Sequence, residues 1–342
     1  MSYKITISDI AKELKVTAAT VSRALNNHPR ISKETKEKVA EVAQRLNYRP
    51  NKIASSLRSG KSHVIGVIIP SAEINFFGSV VHGIETLANS HGYTVLIYQT
   101  NESRDFEVKG IETFLSARVD GILASIAKET LDYSHFIDIK KRKIPIVFFD
   151  RANDDLGISS VVVDDFKGAY LATEHLIKQG YKRIAHISGP QHIKIFNDRL
   201  KGYMGALQAY KIKADFDLIY TGDVSIEAGK AAIKHFFKMK NRPDAAFAVE
   251  DFTALGAMKE LKDKNIKIPQ EFGIIGFANE LFGEHLTPSL STIDQQTVQM
   301  GKESFRLLME LIKHKELKDN KPRKIVLNPI PIFRQSTEKI FK

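Results

Sequence analysis

Along the first 48 residues, apolar side chains recur at helical spacing in three short bursts. Ile7, Ile10, Ala11 and Leu14 fall at i, i+3, i+4 and i+7, which places them on one face of a helix. Thr6-Ile7-Ser8-Asp9 has the Thr-x-x-Asp form of a helix start, and that helix stops near Lys15. Thr17 can cap a second helix running to about Leu25, with Val21 and Leu25 facing inward. Asn26-Asn27-His28-Pro29 then breaks the chain. Ser32 caps a third helix that buries Val39, Val42, Ala43 and Leu46. Two short helices separated by three or four residues make a helix-turn-helix.

The second helix leaves Ala18, Ala19, Ser22, Arg23 and Asn26 for its outer face. Small residues beside one arginine suit close approach to base edges in a major groove. Pro50 keeps Arg49 out of the helical region, so the third helix ends before it. Asn51–Arg58 is a run of helix formers about two turns long, too short to be stable alone in water. Ala54 and Leu57 share one of its faces, and Leu57 has no local core to enter. Ser59-Gly60-Lys61-Ser62 is a flexible exit.

From Val64 the period changes. Val64–Ile69, Tyr93–Tyr98, Gly121–Ser125 and Ile144–Phe149 are apolar runs of strand length. Helical stretches Phe77–Ser90, Asp105–Ala117 and Leu131–Lys141 alternate with them. The alternation starts again at Ser160–Val163 and continues through Arg183–Ser188, Ala245–Val249 and Phe272–Phe277. Repeated βα units predict parallel sheets covered by helices, in two doubly wound halves.

Charge divides the chain at the same place. Residues 1–61 hold 13 Lys/Arg and 5 Asp/Glu, a net of +8, out of +11 for the whole chain. A basic module on a near-neutral body is the footprint of a nucleic-acid binder. There is no cysteine, which excludes disulfides, thiolate metal sites and cysteine nucleophiles and fits a reducing compartment. The first residues carry no apolar secretory core. The longest apolar runs, such as Val64–Pro70, fall far short of the roughly 20 residues a membrane helix needs. A cytoplasmic location is therefore expected.

Two stretches carry a resemblance. Ile7-Ser8-Asp9-Ile10-Ala11 followed by Val16–Asn26, and Leu46–Asn51 followed by Ala54-Ser55-Ser56-Leu57-Arg58, resemble the head and hinge of the lactose-repressor (LacI/GalR) family. Lys15 departs from it, since the family usually carries Gly there. The resemblance implies that Ala18, Ala19 and Arg23 face base edges. It implies that Thr17, Thr20, Ser22, Asn26, Tyr48 and Asn51 hold phosphates and register, with Thr6, Ala54 and Arg58 completing the contact set. Hydroxyls and amides near helix starts suit phosphate oxygens. Hinge helices of two subunits would pair in the minor groove, with Leu57 as a wedge that kinks a central base step.

The resemblance also implies a body like a periplasmic sugar-binding protein. The expected architecture is a small all-α helix-turn-helix head over residues 1–50, a hinge over 51–61, and an α/β body over 62–342. The body's two doubly wound parallel-sheet subdomains would be about 62–160 with 293–325, and about 161–290 with 326–342. Such bodies bind small molecules at the carboxyl ends of their strands. Phe76 and Phe77 follow the first strand there, and Asp150 the fourth. Asn197, Arg199, Glu250, Asn279 and Gln295 complete the candidate effector set. Sugar-sensing members commonly carry Arg where this chain has Asn197 and Asp where it has Ala278, so the usual grips on a polyol are absent.

Three readings of the cleft stay open at this point. It binds a small molecule of sugar or sugar-phosphate type; it answers to a phosphocarrier protein, as the carbon-catabolite-control branch does; or it is vestigial on a ligand-independent DNA binder. Arg306 matches a partner-contacting position of that branch, but Glu310 stands where the branch has Lys. The expected protein is a repressor that binds a pseudo-palindromic operator as a homodimer. No leucine heptads follow Pro331–Ser336, so no coiled-coil tetramer is expected. No catalytic motif, cofactor loop or metal-ligand spacing is present: His82 and His91 lie nine apart, and His186 sits within a strand pattern. An enzyme is not expected, and neither a cofactor nor a bound metal.

Overall fold

The structure is a computed structural model and describes residues 5–48, 61–313 and 321–339. The chain falls into two compact units, Met1–Ser62 and His63–Lys342. Asn51, Ala54, Leu57 and Arg58, the expected hinge contacts, lie outside the described residues.

The first unit holds three helices, α1 (Ile7–Leu14), α2 (Ala18–Leu25) and α3 (Lys33–Arg45). Each start is fixed locally. The Asp9 carboxylate accepts from the Thr6 amide at 2.8 Å and from its hydroxyl at 2.7 Å. Thr17 Oγ1 accepts from the Thr20 amide, and Ser32 Oγ from the Thr35 amide. These bonds satisfy amides that have no partner inside the helix. The α1–α2 turn passes through Lys15 in the left-handed region at φ 51. Ile10, Val21, Val39 and Val42 meet in a small core.

In the body, a six-stranded parallel sheet comprises β1 (Val64–Ile69), β2 (Thr94–Gln99), β3 (Gly121–Ala124), β4 (Ile146–Phe149), β5 (Ser159–Val163) and β11 (Lys324–Leu327). Its order is β11-β5-β4-β3-β1-β2. Helices α4 (Asn75–Ser90), α5 (Arg104–Ser116), α6 (Ser134–Lys141) and α11 (Thr297–Lys313) belong with it. The inner strands are buried on both faces, which is why they read as continuous apolar runs. Helices α4 and α11 cross closely: a Cβ on Gly83 would stand 2.2 Å from the Val298 carbonyl oxygen.

A second parallel sheet runs β7 (Ile219–Thr221), β6 (Ile184–Ser188), β8 (Ala245–Ala248), β9 (Gly273–Ile275). It carries α7 (Asp165–Lys178), α8 (Lys194–Ala209), α9 (Ile226–Phe236) and α10 (Asp251–Asp263). Strands β10 (Thr292–Asp294) and β12 (Ile330–Ile332) form a separate antiparallel ribbon.

One expectation is corrected. Ser159–Val163 does not open the second half; it pairs with Val147–Phe149 and with Lys324–Leu327 inside the first sheet. The first subdomain therefore runs past residue 160, and its returning strand runs past 325. A βα run looks the same in sequence whether its strand closes one sheet or begins the next, because pairing partners are not local.

Candidate DNA-reading head and effector cleft

In the head, helix α2 presents Ala18, Ala19 and Arg23 to solvent, with Thr17 and Asn26 exposed at its ends. Thr6 is exposed at the start of α1, and Thr20 is half-buried. Asn26 Nδ2 donates to the Ser22 carbonyl at 2.8 Å, and Tyr48 packs half-buried against the head core. Ser22 is a second correction. It is 9% exposed, because α2 packs against both α1 and α3 and its buried arc takes in Val21, Ser22 and Ala24. Its hydroxyl therefore does not share the open face of Ala18, Ala19 and Arg23. That face is flat and small apart from one arginine, the shape a groove floor accepts.

In the body, the carboxyl ends of the strands of both sheets surround a cavity of about 450 Å³. Phe76 and Phe77 reach it from the start of α4, Asp150 from the end of β4 and Arg199 from α8. Glu250 reaches it from the end of β8 and Gln295 from the crossover after β10. The other two candidates do not line it. Asn197 turns to Gln191 Oε1, and Asn279 is tied between Asp294 Oδ2 and the Arg334 guanidinium, both at 3.0 Å. The sequence reading also missed Phe196, Phe252 and Lys128, which line the cavity. Phe196 and Phe252 sit one or two residues inside helices that start at the cleft, a position shared with Phe76.

Arg199 organises the floor of the cavity. It is 2% exposed and donates from Nε to Asp165 Oδ1 at 2.8 Å, from Nη1 to the Val249 carbonyl at 2.7 Å and from Nη2 to Gln295 Oε1 at 3.2 Å. Its guanidinium lies 3.7 Å from the centre of the Phe277 ring. Burial pushes the Asp165 carboxyl up to about 6, against the pull of Arg199. Asp150 is likewise raised by burial, opposed by Arg151 and Arg199.

Acidic groups also gather just past the ends of β8 and β9. Burial, then the neighbouring Asp251 carboxylate, pushes Glu250 up to about 8, although the Phe252 amide donates to its Oε2 at 2.8 Å. Burial also raises Asp251 to about 6 and Glu280 to about 7. Glu280 Oε1 accepts from the Phe76 amide at 3.3 Å, a bond between the loop after β9 and the start of α4. Clusters of shifted carboxyls around a cavity mark functional sites more often than packing alone does.

Two cavity residues hold unusual backbone conformations. Asp150 has φ 58 and Ala278 has φ 135, a region open chiefly to glycine. Both are pinned by ladder bonds, Asp150 to the Val161 carbonyl and Ala278 to the Ile293 carbonyl. Such outliers cluster at ligand sites, where the surrounding structure over-determines them. Among the described residues, no group of three His, Asp or Glu is arranged to hold a metal ion. No helix there is long and apolar enough to cross a membrane.

Comparison with known proteins covers both units. Residues 6–51 match the family described as bacterial regulatory proteins, lacI family. Residues 62–334 match the periplasmic binding proteins and sugar binding domain of LacI family. The HTH-type transcriptional repressor PurR of Vibrio atlanticus is 32% identical over 98% of this chain and 98% of its own. Catabolite control protein A of Priestia megaterium is 32% identical over 98% of this chain and 99% of its own. The crystal structure of the lac repressor dimer bound to operator and the anti-inducer ONPF superposes with a TM-score of 0.86, at 25% identity, covering 98% of this chain and 99% of that one.

Proposed function

Because the chain belongs to the LacI family of bacterial regulatory proteins, we propose that it represses transcription by binding a pseudo-palindromic operator as a homodimer, with a small molecule in the body cleft setting its affinity. Each head, residues 1–50, reads one half-site. Ala18, Ala19 and Arg23 meet base edges, while Thr6, Thr17, Thr20, Asn26 and Tyr48 act on the phosphate backbone. Segment 51–61 pairs with its copy between the half-sites, with Asn51, Ala54, Leu57 and Arg58 toward the minor groove. The body, from residue 62, couples cleft occupancy to the spacing of the two hinges. The protein works in the cytoplasm beside its DNA, and no catalytic step is invoked.

The observation that carries this reading is the outward face of α2. A Thr17-capped helix on a module of net charge +8 exposes two alanines and one arginine. Water would not select adjacent exposed alanines, and a protein core would not select the arginine. We favour a small molecule over a phosphocarrier protein as the controlling ligand. The cavity of about 450 Å³ has room for one, whereas Arg306 is already paired with Glu303 one turn away on α11.

The test is selection from a random duplex pool by the full-length chain. Enrichment of a twofold-symmetric sequence supports the reading. Retention of duplexes without any common sequence contradicts it.

A further inference from the structure

Charge is polarised along the strands of the second sheet. Its four strands are parallel, so the connections entering them lie at one edge and those leaving them at the other. The leaving connections, 189–193, 222–225, 249–250 and 276–280, stand at the cleft end. They contain Asp223, Glu250 and Glu280 and no Lys or Arg. The entering connections, 179–183, 210–218, 237–244 and 264–272, hold 9 Lys/Arg and 4 Asp/Glu, a net of +5. Residues 62–342 together carry only +3, so this edge is the basic pole of the body.

The fold leaves most of that charge open. Eight of the nine bases are exposed, and Arg183 is half-buried. Arg183 and Lys264 have acidic partners, Asp215 at 2.6 Å and Glu260 at 3.4 Å; among the described residues the other seven bases have no ion pair. The acids of these connections are largely turned to the backbone. Asp244 accepts from the Lys182 and Arg183 amides, each at 2.9 Å, and Glu271 accepts from the Lys267 amide at 2.9 Å.

Seven of the nine bases are lysine. Lysine is depleted at protein–protein interfaces, whereas its flexible point charge neutralises duplex phosphates whatever the sequence. Single strands bind on rows of open stacking rings. Here Phe216 is 74% exposed, but Phe237 lies beneath Arg242 and Lys264, at 4.9 Å and 6.0 Å, and the Tyr210 hydroxyl donates to Glu174 at 3.0 Å. We infer that this edge is a second DNA contact. It holds the phosphate backbone of a duplex other than the one its heads read, so that one dimer joins two DNA segments. The inference rests on reading the chain as an operator-binding regulator and adds bridging to it.

The experiment is fluorescence anisotropy on the full-length protein carrying one unlabelled operator duplex per dimer. A labelled duplex of equal length without the operator is then added. It should be captured with a roughly micromolar Kd at about 50 mM salt and weaken on the order of a hundredfold by about 200 mM, as for about four neutralised phosphates. Reversing the charge of one connection, by Lys238→Glu, Lys240→Glu and Arg242→Glu together, should weaken capture roughly tenfold or more. Operator affinity and melting temperature should stay as in the wild type. Unlabelled polyglutamate and a single-stranded oligonucleotide should compete less well than unlabelled duplex. No capture overturns the inference, as does capture unchanged in the triple variant, or better competition by either of those polymers. The competition decides even if the variant fails to fold. The first step separates the two layers. An operator complex that captures nothing sinks the bridge and leaves the regulator standing, whereas failure to bind any operator sinks the regulator and the bridge with it.

Discussion

Arg199 Nε and Nη2 lie 2.8 Å and 2.7 Å from a single oxygen, Asp165 Oδ1, with both side chains shut off from solvent. The pair fastens α8 to α7, and its remaining bonds reach the end of β8 and the crossover after β10. A buried pair of this kind adds little net stability when intact, yet breaking it strands a charge. Arg199→Met should lower body stability by about 3–5 kcal/mol. Adding Asp165→Leu should restore much of that loss, because the stranded carboxyl is then gone. Thermal melting of the two variants checks this, and a double variant no better than the single one counts against it.

The stability of the body should fall from pH 5 to pH 8.5. Asp165, Asp251, Glu250 and Glu280 have folded acidities raised to about 6, 6, 8 and 7. A raised carboxyl favours the folded state most when protonated, so its contribution is present at low pH and lost as pH climbs through those values. His175 and His186 are depressed by burial to about 4. Their contribution is present above about 6.5 and is lost as pH falls toward 4. The two ramps oppose each other. Four carboxyls outweigh two histidines, so melting temperatures should fall from pH 5 through 6.5 to 8.5, and Glu250→Gln should flatten the decline.

Local chemistry was legible in the sequence wherever one short segment determines the outcome. The caps at Thr6, Thr17 and Ser32 lie where the Thr/Ser spacing placed them. Six of the eight cleft candidates were found by counting residues off strand ends, since that topology puts strand ends together. The misses are non-local. Ser22 is buried by α1 and α3, which no pattern within α2 records. β5 joins the first sheet through partners at residues 147–149 and 324–327. Asn279 points along a strand end, but Arg334 and Asp294 hold it away from the cavity.

Lys15 occupies a left-handed turn at φ 51, where a side chain costs energy that glycine avoids. Lys15→Gly should stabilise the head by about 0.5–1 kcal/mol. Native-state hydrogen exchange of the α1 amides in the full-length chain measures it. Slower exchange is expected, and faster exchange would show that the lysine side chain contributes more than the backbone strain removes.

Leu57 belongs to the segment proposed to wedge the minor groove. Leu57→Ala should weaken operator binding roughly tenfold or more while leaving binding to random DNA nearly unchanged. Arg23→Ala should also relax specificity, by about 1–3 kcal/mol, at one base position. Equal losses of Leu57→Ala on operator and random duplexes would remove the wedge.

Sequence-specific reading by the head is tested most directly by fluorescence anisotropy with two labelled duplexes at moderate and high salt. One carries a palindrome with a central CG step, of the TGNAANCGNTTNCA type, and the other is its scrambled control. A preference for the palindrome of about a thousandfold or more is expected, the margin by which specific binding exceeds non-specific binding. Equal binding to both, falling steeply with salt, would mean that the head grips phosphates alone and would contradict the assignment of α2 as a base-reading helix.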